Sequence, residues 1–275
     1  MGRGHGRGVK RPFAGVQVPA IGQGTWQIDE TRAEEAALAL RAGIDLGLTH
    51  IDTAEMYGGG LSERLIAKAI AGRRAEIFLV SKVLPSNASR RGTVQACEKS
   101  LQRLRTDHLD CYLLHWPGPH PLPDTIAAFE ELRQAGKIRS YGVSNFDEEL
   151  LAEALRLGKI ACNQVLYSLS ERHIEAKLLP LCLEQGVALV GYSPFAGYEE
   201  KPELLAVARE LEATPRQVAL AFLVRLEGTF AIPKATSLDH VRENAGAGKL
   251  KLTGRQIARL EKAFPLRVRQ ELPTA

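Results

Sequence analysis

With 275 residues, 45% of them hydrophobic and 25% charged, the chain can form one large α/β domain or two small ones and has the composition of an ordinary globule. Its 36 basic residues exceed its 32 acidic ones by four. Arg3, Arg7, Lys10 and Arg11, within an opening stretch that holds no acid, supply that whole surplus, so the body is neutral and lacks the basic face that nucleic-acid binding requires.

Residues 1–11 (MGRGHGRGVKR) have no apolar segment of the kind found in signal peptides, and Gly6 breaks the pattern needed for myristoylation of Gly2. Their composition predicts a disordered Gly/Arg tail ahead of a single domain over 12–275. Cys97, Cys111, Cys162 and Cys182 form no CxxC pair, which argues against a zinc cluster or disulfide framework and for a reducing, cytoplasmic location. No apolar run approaches the ~18 residues that predict a membrane span.

After the tail, PFAGVQVPAIGQGTW reads as a short hairpin followed by a strand ending near Gly24 and Thr25. Residues 31–47 then repeat alanine and leucine at helical spacing and stop at Gly47. The same alternation recurs along the chain. Strands over THIDT, 77–83, 109–116 and 138–145 are followed by helices near 61–71, 89–105, 122–135 and 147–157. Further strands over ACNQVLYS, ALVGYSP and 229–234 are interleaved with helices near 175–185, 203–212, 215–226, 238–246 and 254–263. Apolar strands without clean alternation suit a sheet buried on both faces, and alternating β and α units imply parallel strands. Eight such units in ~250 residues predict a (β/α)8 TIM barrel with an N-terminal β-hairpin and an extra C-terminal helix. A doubly wound sheet is the alternative, but Gly22 and Gly24 do not complete a GxGxxG turn.

In such a barrel the chemistry lies at the C-terminal strand ends. Those ends carry Asp52, Ser81-Lys82, His115-Trp116, Ser144-Asn145, Asn163-Gln164, Tyr192-Ser193-Pro194 and Pro233-Lys234. Any one of them has an ordinary reading as a turn cap, a snorkelling lysine or a core histidine. Several ionisable groups converging on one rim are harder to explain that way, because isolated buried charges are costly. A phenol with a reference pKa near ~10 is a poor acid at neutral pH. An ammonium ~4 Å away, at an effective dielectric of about 20, would favour the phenolate by up to ~4 kcal/mol, or at most ~3 pKa units. Tyr57, on the loop AEMYGGG, could thus be the acid, with Lys82 as the cation, Asp52 as its anchor and neutral His115 orienting a carbonyl oxygen. Such a site protonates an oxygen but holds no acyl-transfer nucleophile and no metal cluster. A hydride donor such as nicotinamide would complete it.

The pieces GTW (24–26), HIDTAEMYGGG (50–60), VSK (80–82), DCYLLHWP (110–117), GKIRSYGVSNF (136–146), NQVLYS (163–168), GYSPF (191–195) and IPKATS…REN (232–244) together resemble the aldo-keto reductase family over residues ~12–265. The resemblance implies a barrel that binds NADP(H) without a Rossmann domain and reduces small carbonyl compounds. It places the family's catalytic tetrad on Asp52, Tyr57, Lys82 and His115. It implies that Ser144, Asn145 and Gln164 bind the carboxamide, Tyr192 stacks on the nicotinamide, and Thr25 and Trp26 lie nearby. Ser193, Pro194 and Gly197 would lie beside the pyrophosphate. Lys234, Thr236, Ser237 and His240 would face the 2′-phosphate, and Glu243 and Asn244 the adenine. Trp26 and Trp116 would wall the substrate pocket with Tyr57 and His115.

Many relatives place an arginine where this chain has His240. An arginine is always charged and bidentate, whereas histidine with a reference pKa near ~6.5 is mostly neutral at pH 7, so NAD(H) is an alternative cofactor. The short loop after Tyr192 and the short tail after Phe264 imply an open, unselective mouth. A monomer is expected, because a barrel closes on itself. Two other functions fit the same barrel: a non-catalytic sensor of cofactor redox state, and a lyase using Lys82 as a Schiff-base amine. The second requires a depressed Lys82 pKa, which Asp52 opposes.

Overall fold

The computed structural model describes residues 8–28, 30–269 and 271–274. The tail expected over 1–11 falls largely outside them, and its boundary needs correcting. Strand β1 (Lys10–Phe13) already pairs antiparallel with β2 (Val16–Pro19), Lys10 opposite Pro19 and Arg11 opposite Val18. Arg11 is held there because its guanidinium donates to the carbonyls of Val224, Leu226 and Thr229.

The eight parallel strands are β3 (Gln23–Gly24), β4 (His50–Asp52), β5 (Phe78–Val83), β6 (Leu109–Leu114), β7 (Ile138–Ser144), β8 (Ile160–Leu166), β9 (Ala188–Tyr192) and β10 (Thr229–Ala231). They lie side by side in chain order, and bridges from Ile21 to Ala231 and from Gly24 to Lys234 join the first edge to the last. The Gly22 amide donates to the Ala231 carbonyl at 2.8 Å, and the Ala231 amide donates to the Ala20 carbonyl at 2.9 Å. Closure leaves no open edge.

Helices α1 (Ala33–Asp45), α2 (Leu61–Ala69), α3 (Arg90–Leu104), α4 (Leu122–Gln134), α5 (Glu148–Leu157) and α6 (Leu178–Glu184) each return the chain to the next strand. Two helices follow β9, α7 (Pro202–Glu210) and α8 (Pro215–Leu223), and two follow β10, α9 (Leu238–Ala247) and α10 (Gly254–Ala263). Their starts are written in the sequence. Ser89 and Asp147 accept from the amides of Gly92 and Leu150, while Thr214 and Thr253 form reciprocal capping boxes with Gln217 and Gln256. The expected start of α6 at 175 is three residues early, because a separate short 3-10 turn occupies His173–Glu175.

Strand parity positions the site. In β5, Phe78 and Val80 pack in the barrel interior, while Leu79 and Val83 pack against the helices. Lys82 therefore points inward and Ser81 outward. In β6 the same parity puts Cys111 and Leu113 inside, followed by His115, with Tyr112 and Leu114 outside. Both faces are buried, which hides the alternation from hydropathy alone. At the opposite end of the barrel the β1–β2 hairpin closes the floor. The Phe13 ring lies 4.7 Å from Phe78, 5.0 Å from Phe230 and 5.8 Å from the imidazole of His50.

Candidate active site

A cavity of about 970 Å³ opens at the C-terminal end of the strands, within the range of small-molecule sites. Asp52, Tyr57, His115, Ser144, Asn145, Gln164 and Tyr192 all line it. Beneath them Lys82 is fully buried. Its ammonium donates to Asp52 Oδ1 at 2.5 Å and to the Thr53 carbonyl at 2.8 Å, and lies 3.4 Å from the Tyr57 hydroxyl. Asp52 also accepts from Gln164 Nε2 at 2.7 Å, and its backbone carbonyl accepts from Thr25 Oγ1 at 2.9 Å. The sequence expectation that Asp52 anchors Lys82 corresponds to this contact.

Burial is the larger influence on both members of the pair. It would lower the ammonium, but Asp52 and then Tyr57 outweigh it, so Lys82 is held above its ordinary value. That direction runs against the Schiff-base reading. The Tyr57 phenol departs from expectation. Burial raises it more than Lys82 lowers it, with Asp52 adding to the rise, so the net shift is upward. The expectation considered only the neighbouring cation and omitted desolvation. His115 is pushed down to about 3, by burial first and Lys82 second, so its imidazole is neutral at physiological pH. Its ring meets Tyr57 edge-on at 5.7 Å and Trp116 at 4.7 Å.

Tyr57 reaches this position because the chain turns sharply after it. Gly58, Gly59 and Gly60 have φ of +57°, +57° and +86°, in the left-handed region that suits glycine. Ser144 Oγ donates to the Gln164 carbonyl at 2.8 Å, Asn145 Nδ2 donates to the His115 carbonyl at 3.0 Å, and Tyr192 Oη donates to Asn145 Oδ1 at 2.7 Å. Asn145 and Ser193 have φ of +60° and +46°, local strain of the kind that concentrates at functional sites.

Around this cavity lie the nicotinamide-side residues named from sequence, Thr25, Trp26, Ser144, Asn145, Gln164 and Tyr192, together with Ser193 and Pro194, expected beside the pyrophosphate, and Lys234. The amide and hydroxyl groups beside a half-buried ring suit a carboxamide-bearing planar heterocycle, so these residues fit a nicotinamide. Thr236, Ser237, His240, Glu243 and Asn244 sit beyond the lining, at the start of and along α9. Ser237 caps that helix, and Glu243 accepts from Thr214 Oγ1 at 2.5 Å. Gly197 is also off the lining, and its carbonyl accepts from Ser170 Oγ.

Trp26, Trp116 and Met56 stand 42%, 37% and 40% exposed at the mouth, an apolar rim. Met56 was missed from sequence, although its place beside Tyr57 pointed to it. Thr274 also lines the cavity, so the short tail reaches the mouth expected to be open. Arg269 carries the tail back, its amide donating to His173 Nδ1 at 2.8 Å and its guanidinium to Glu171 at 2.6 Å. The tail lacks periodicity, so no sequence signal foretold that route. Among the described residues no helix is long and apolar enough to cross a membrane, and no group of three or more His, Cys, Asp or Glu could hold a metal.

A sequence profile described as the Aldo/keto reductase family matches residues 20–200 and 196–264. Methylglyoxal reductase YeaE of Escherichia coli is 44% identical over 266 residues, covering 92% of this chain and 94% of that one. Glyoxal reductase of Bacillus subtilis is 34% identical, covering 84% and 83% of the two chains. A Klebsiella pneumoniae aldo/keto reductase solved with NADP and acetate superposes with a TM-score of 0.92 at 41% identity, covering 97% of this chain and 99% of that one. With the profile spanning nearly the whole barrel, the chain belongs to the aldo/keto reductase family.

Proposed function

We propose that this protein reduces aldehyde and ketone carbonyls to alcohols, with small reactive α-keto aldehydes as the leading substrate class. The observation that carries this reading is the Tyr57 hydroxyl 3.4 Å from a buried ammonium that is itself anchored to Asp52. NADP(H), when bound, supplies the hydride, and Ser144, Asn145, Gln164 and Tyr192 would hold its nicotinamide end, with Lys234 and the start of α9 at its phosphate end. NADP(H) is favoured because the Klebsiella pneumoniae relatives were solved with NADP and with NADPH.

The upward shift of Tyr57 keeps its proton in place at neutral pH. As the carbonyl carbon gains a hydride and its oxygen gains charge, Tyr57 gives that oxygen its proton and Lys82 stabilises the phenolate left behind. Solvent then reprotonates Tyr57. Neutral His115 donates a hydrogen bond to the same oxygen and aims it at the phenol. The apolar rim of Trp26, Met56 and Trp116 suits compact, weakly polar substrates. The relatives named for methylglyoxal and glyoxal supply the specific substrate class. The redox-sensor alternative has no use for an acid poised in this way. A monomer in the cytoplasm suits a closed barrel with four buried free cysteines.

The test is loss of absorbance at 340 nm with methylglyoxal, NADPH and NADH in parallel, wild type beside Tyr57→Phe. Turnover should fall by about 10²- to 10⁴-fold in the variant, the range for losing a general acid. Equal rates in the two proteins would overturn the mechanism. Cofactor binding without turnover in either would revive the sensor.

A further inference from the structure

Glu63, on the first turn of α2, is fully buried, and neither the cavity lining nor the chemistry above uses it. One of its oxygens accepts from Ser81 Oγ at 2.7 Å. The other accepts from Arg103 Nε at 2.5 Å, and the Arg103 guanidinium also donates to Ser100 Oγ at 3.1 Å. Ser81 is the outward-facing neighbour of Lys82 on β5. Arg103 crosses from α3 over Gly60, the residue that ends the Tyr57 turn. A Cβ on Gly60 would fall 2.5 Å from Arg103 Cδ, so the arginine stem lies directly on that backbone. One carboxylate thus grips both the strand that carries Lys82 and, through Arg103, the turn that carries Tyr57.

The upstream end of that turn is tied to the same strand's exit. Glu55 accepts from the Leu84 amide at 2.7 Å, and its own amide donates to the Lys82 carbonyl at 3.3 Å. Three glycines in the left-handed region would otherwise leave Tyr57 on a pliable hinge. A buried charge is retained only where it is paired and hydrogen-bonded. Burying Glu63 beneath this hinge therefore needs the full set of partners it has.

We infer that Glu63, acting through Ser81 and Arg103, is a positioning residue that sets the Tyr57 hydroxyl against the Lys82 ammonium. The inference rests on the reductase reading. Glu63 touches no reacting atom.

The first experiment compares wild type with Glu63→Gln at saturating NADPH, recording kcat, KM and NADPH affinity by fluorescence quenching. Alongside, the Tyr57 phenol is titrated by ultraviolet difference against Tyr57→Phe backgrounds. Positioning predicts a kcat loss of about tenfold or more with NADPH affinity unchanged, together with a phenol pKa higher than in wild type because Lys82 no longer sits beside it. A role through charge alone predicts the opposite sign, since deleting a nearby negative charge favours the phenolate. An unchanged or lowered phenol pKa would overturn the inference. So would a lowered melting temperature with kcat and phenol pKa intact.

If Glu63→Gln does not fold, Ser81→Ala and Arg103→Lys are measured in its place. Arg103→Lys, which keeps the charge and the stem over Gly60, should retain most of kcat, whereas Arg103→Ala should lose it and raise the phenol pKa. Equal behaviour of the two arginine variants would also overturn it. Wild type without turnover would sink the reductase reading itself, a result distinct from any of these.

Discussion

The two halves of the site are built differently. On the inner half Lys82 is fully buried, Asp52 is 1% exposed, and the side chains hold one another: Gln164 to Asp52, Asn145 to the His115 carbonyl, Tyr192 to Asn145. On the outer half Lys234 and His240 are exposed. There the Lys234 ammonium donates to the Gln27 carbonyl at 3.3 Å, and Asp239 and Arg242 pair with each other on the surface of α9. The inner half is preorganised, which is where transition-state charge must be met without rearrangement. The outer half would grip a flexible nucleotide tail and can be looser. Substitutions inside should therefore cost folding and catalysis together, and substitutions outside should change selectivity alone.

The strongest way to break that contrast is Asp52→Asn. It removes the carboxylate from an ammonium with no solvent to retreat to. Burial, already the largest influence on Lys82, would then be countered by Tyr57 without the carboxylate, and the ammonium would fall from its present raised value. Stranding one partner of a buried pair typically costs about 3–5 kcal/mol. Urea unfolding should show a loss of that order, with turnover falling in parallel. A variant as stable as wild type would mean the pair is not the keystone its geometry indicates.

Much of the inner half was legible because parity and strand ends are sequence properties. Once HIDT, VSK and LLHW are read as strands of one barrel, Asp52, Lys82 and His115 must share the inner face. Three features escaped. The sign of the Tyr57 shift depends on how deeply a loop residue is buried, which only the packed fold determines. Thr274 reaches the cavity through contacts of Arg269 with Glu171 and His173, pairs almost a hundred positions apart with no periodic signal between them. Glu63 looks like any acid in the first turn of an amphipathic helix until Ser81 and Arg103 are seen to enclose it.

A smaller effect sharpens the comparison from beneath. His50 lies inside the barrel with both ring nitrogens buried and without a partner among the described residues, and burial, followed by Lys82, pushes it down to about 3. The folded state holds it neutral, whereas the unfolded chain takes up a proton below about 6.5. The unfolded state therefore binds more protons as the solution is acidified. The stability that His50 contributes is present above pH 6.5 and is lost as pH falls towards 3, at about 1.4 kcal/mol per pH unit. His50→Leu should flatten the loss between pH 6.5 and 4.5 by roughly 2 kcal/mol. Urea midpoints at the two pH values would decide it, and equal slopes in both proteins would show that another group carries the acid sensitivity.

The smallest expected effect lies on the outer half. His240 occupies an exposed position in the first turn of α9, its amide donating to the capping Ser237 Oγ at 3.3 Å. A new side chain there disturbs no packing, so His240→Arg should change stability by no more than about 0.5 kcal/mol. Its consequence is for selectivity. Arginine adds a permanent charge and a planar pair of donors, which a 2′-phosphate can use and a bare 2′-hydroxyl cannot. The kcat/KM ratio of NADPH over NADH should rise by about tenfold, equivalent to about 1.4 kcal/mol, with turnover at saturating NADPH unchanged. Should turnover move with the ratio, the outer half would be coupled to the chemistry, and the division between a rigid inner site and a forgiving outer one would fail.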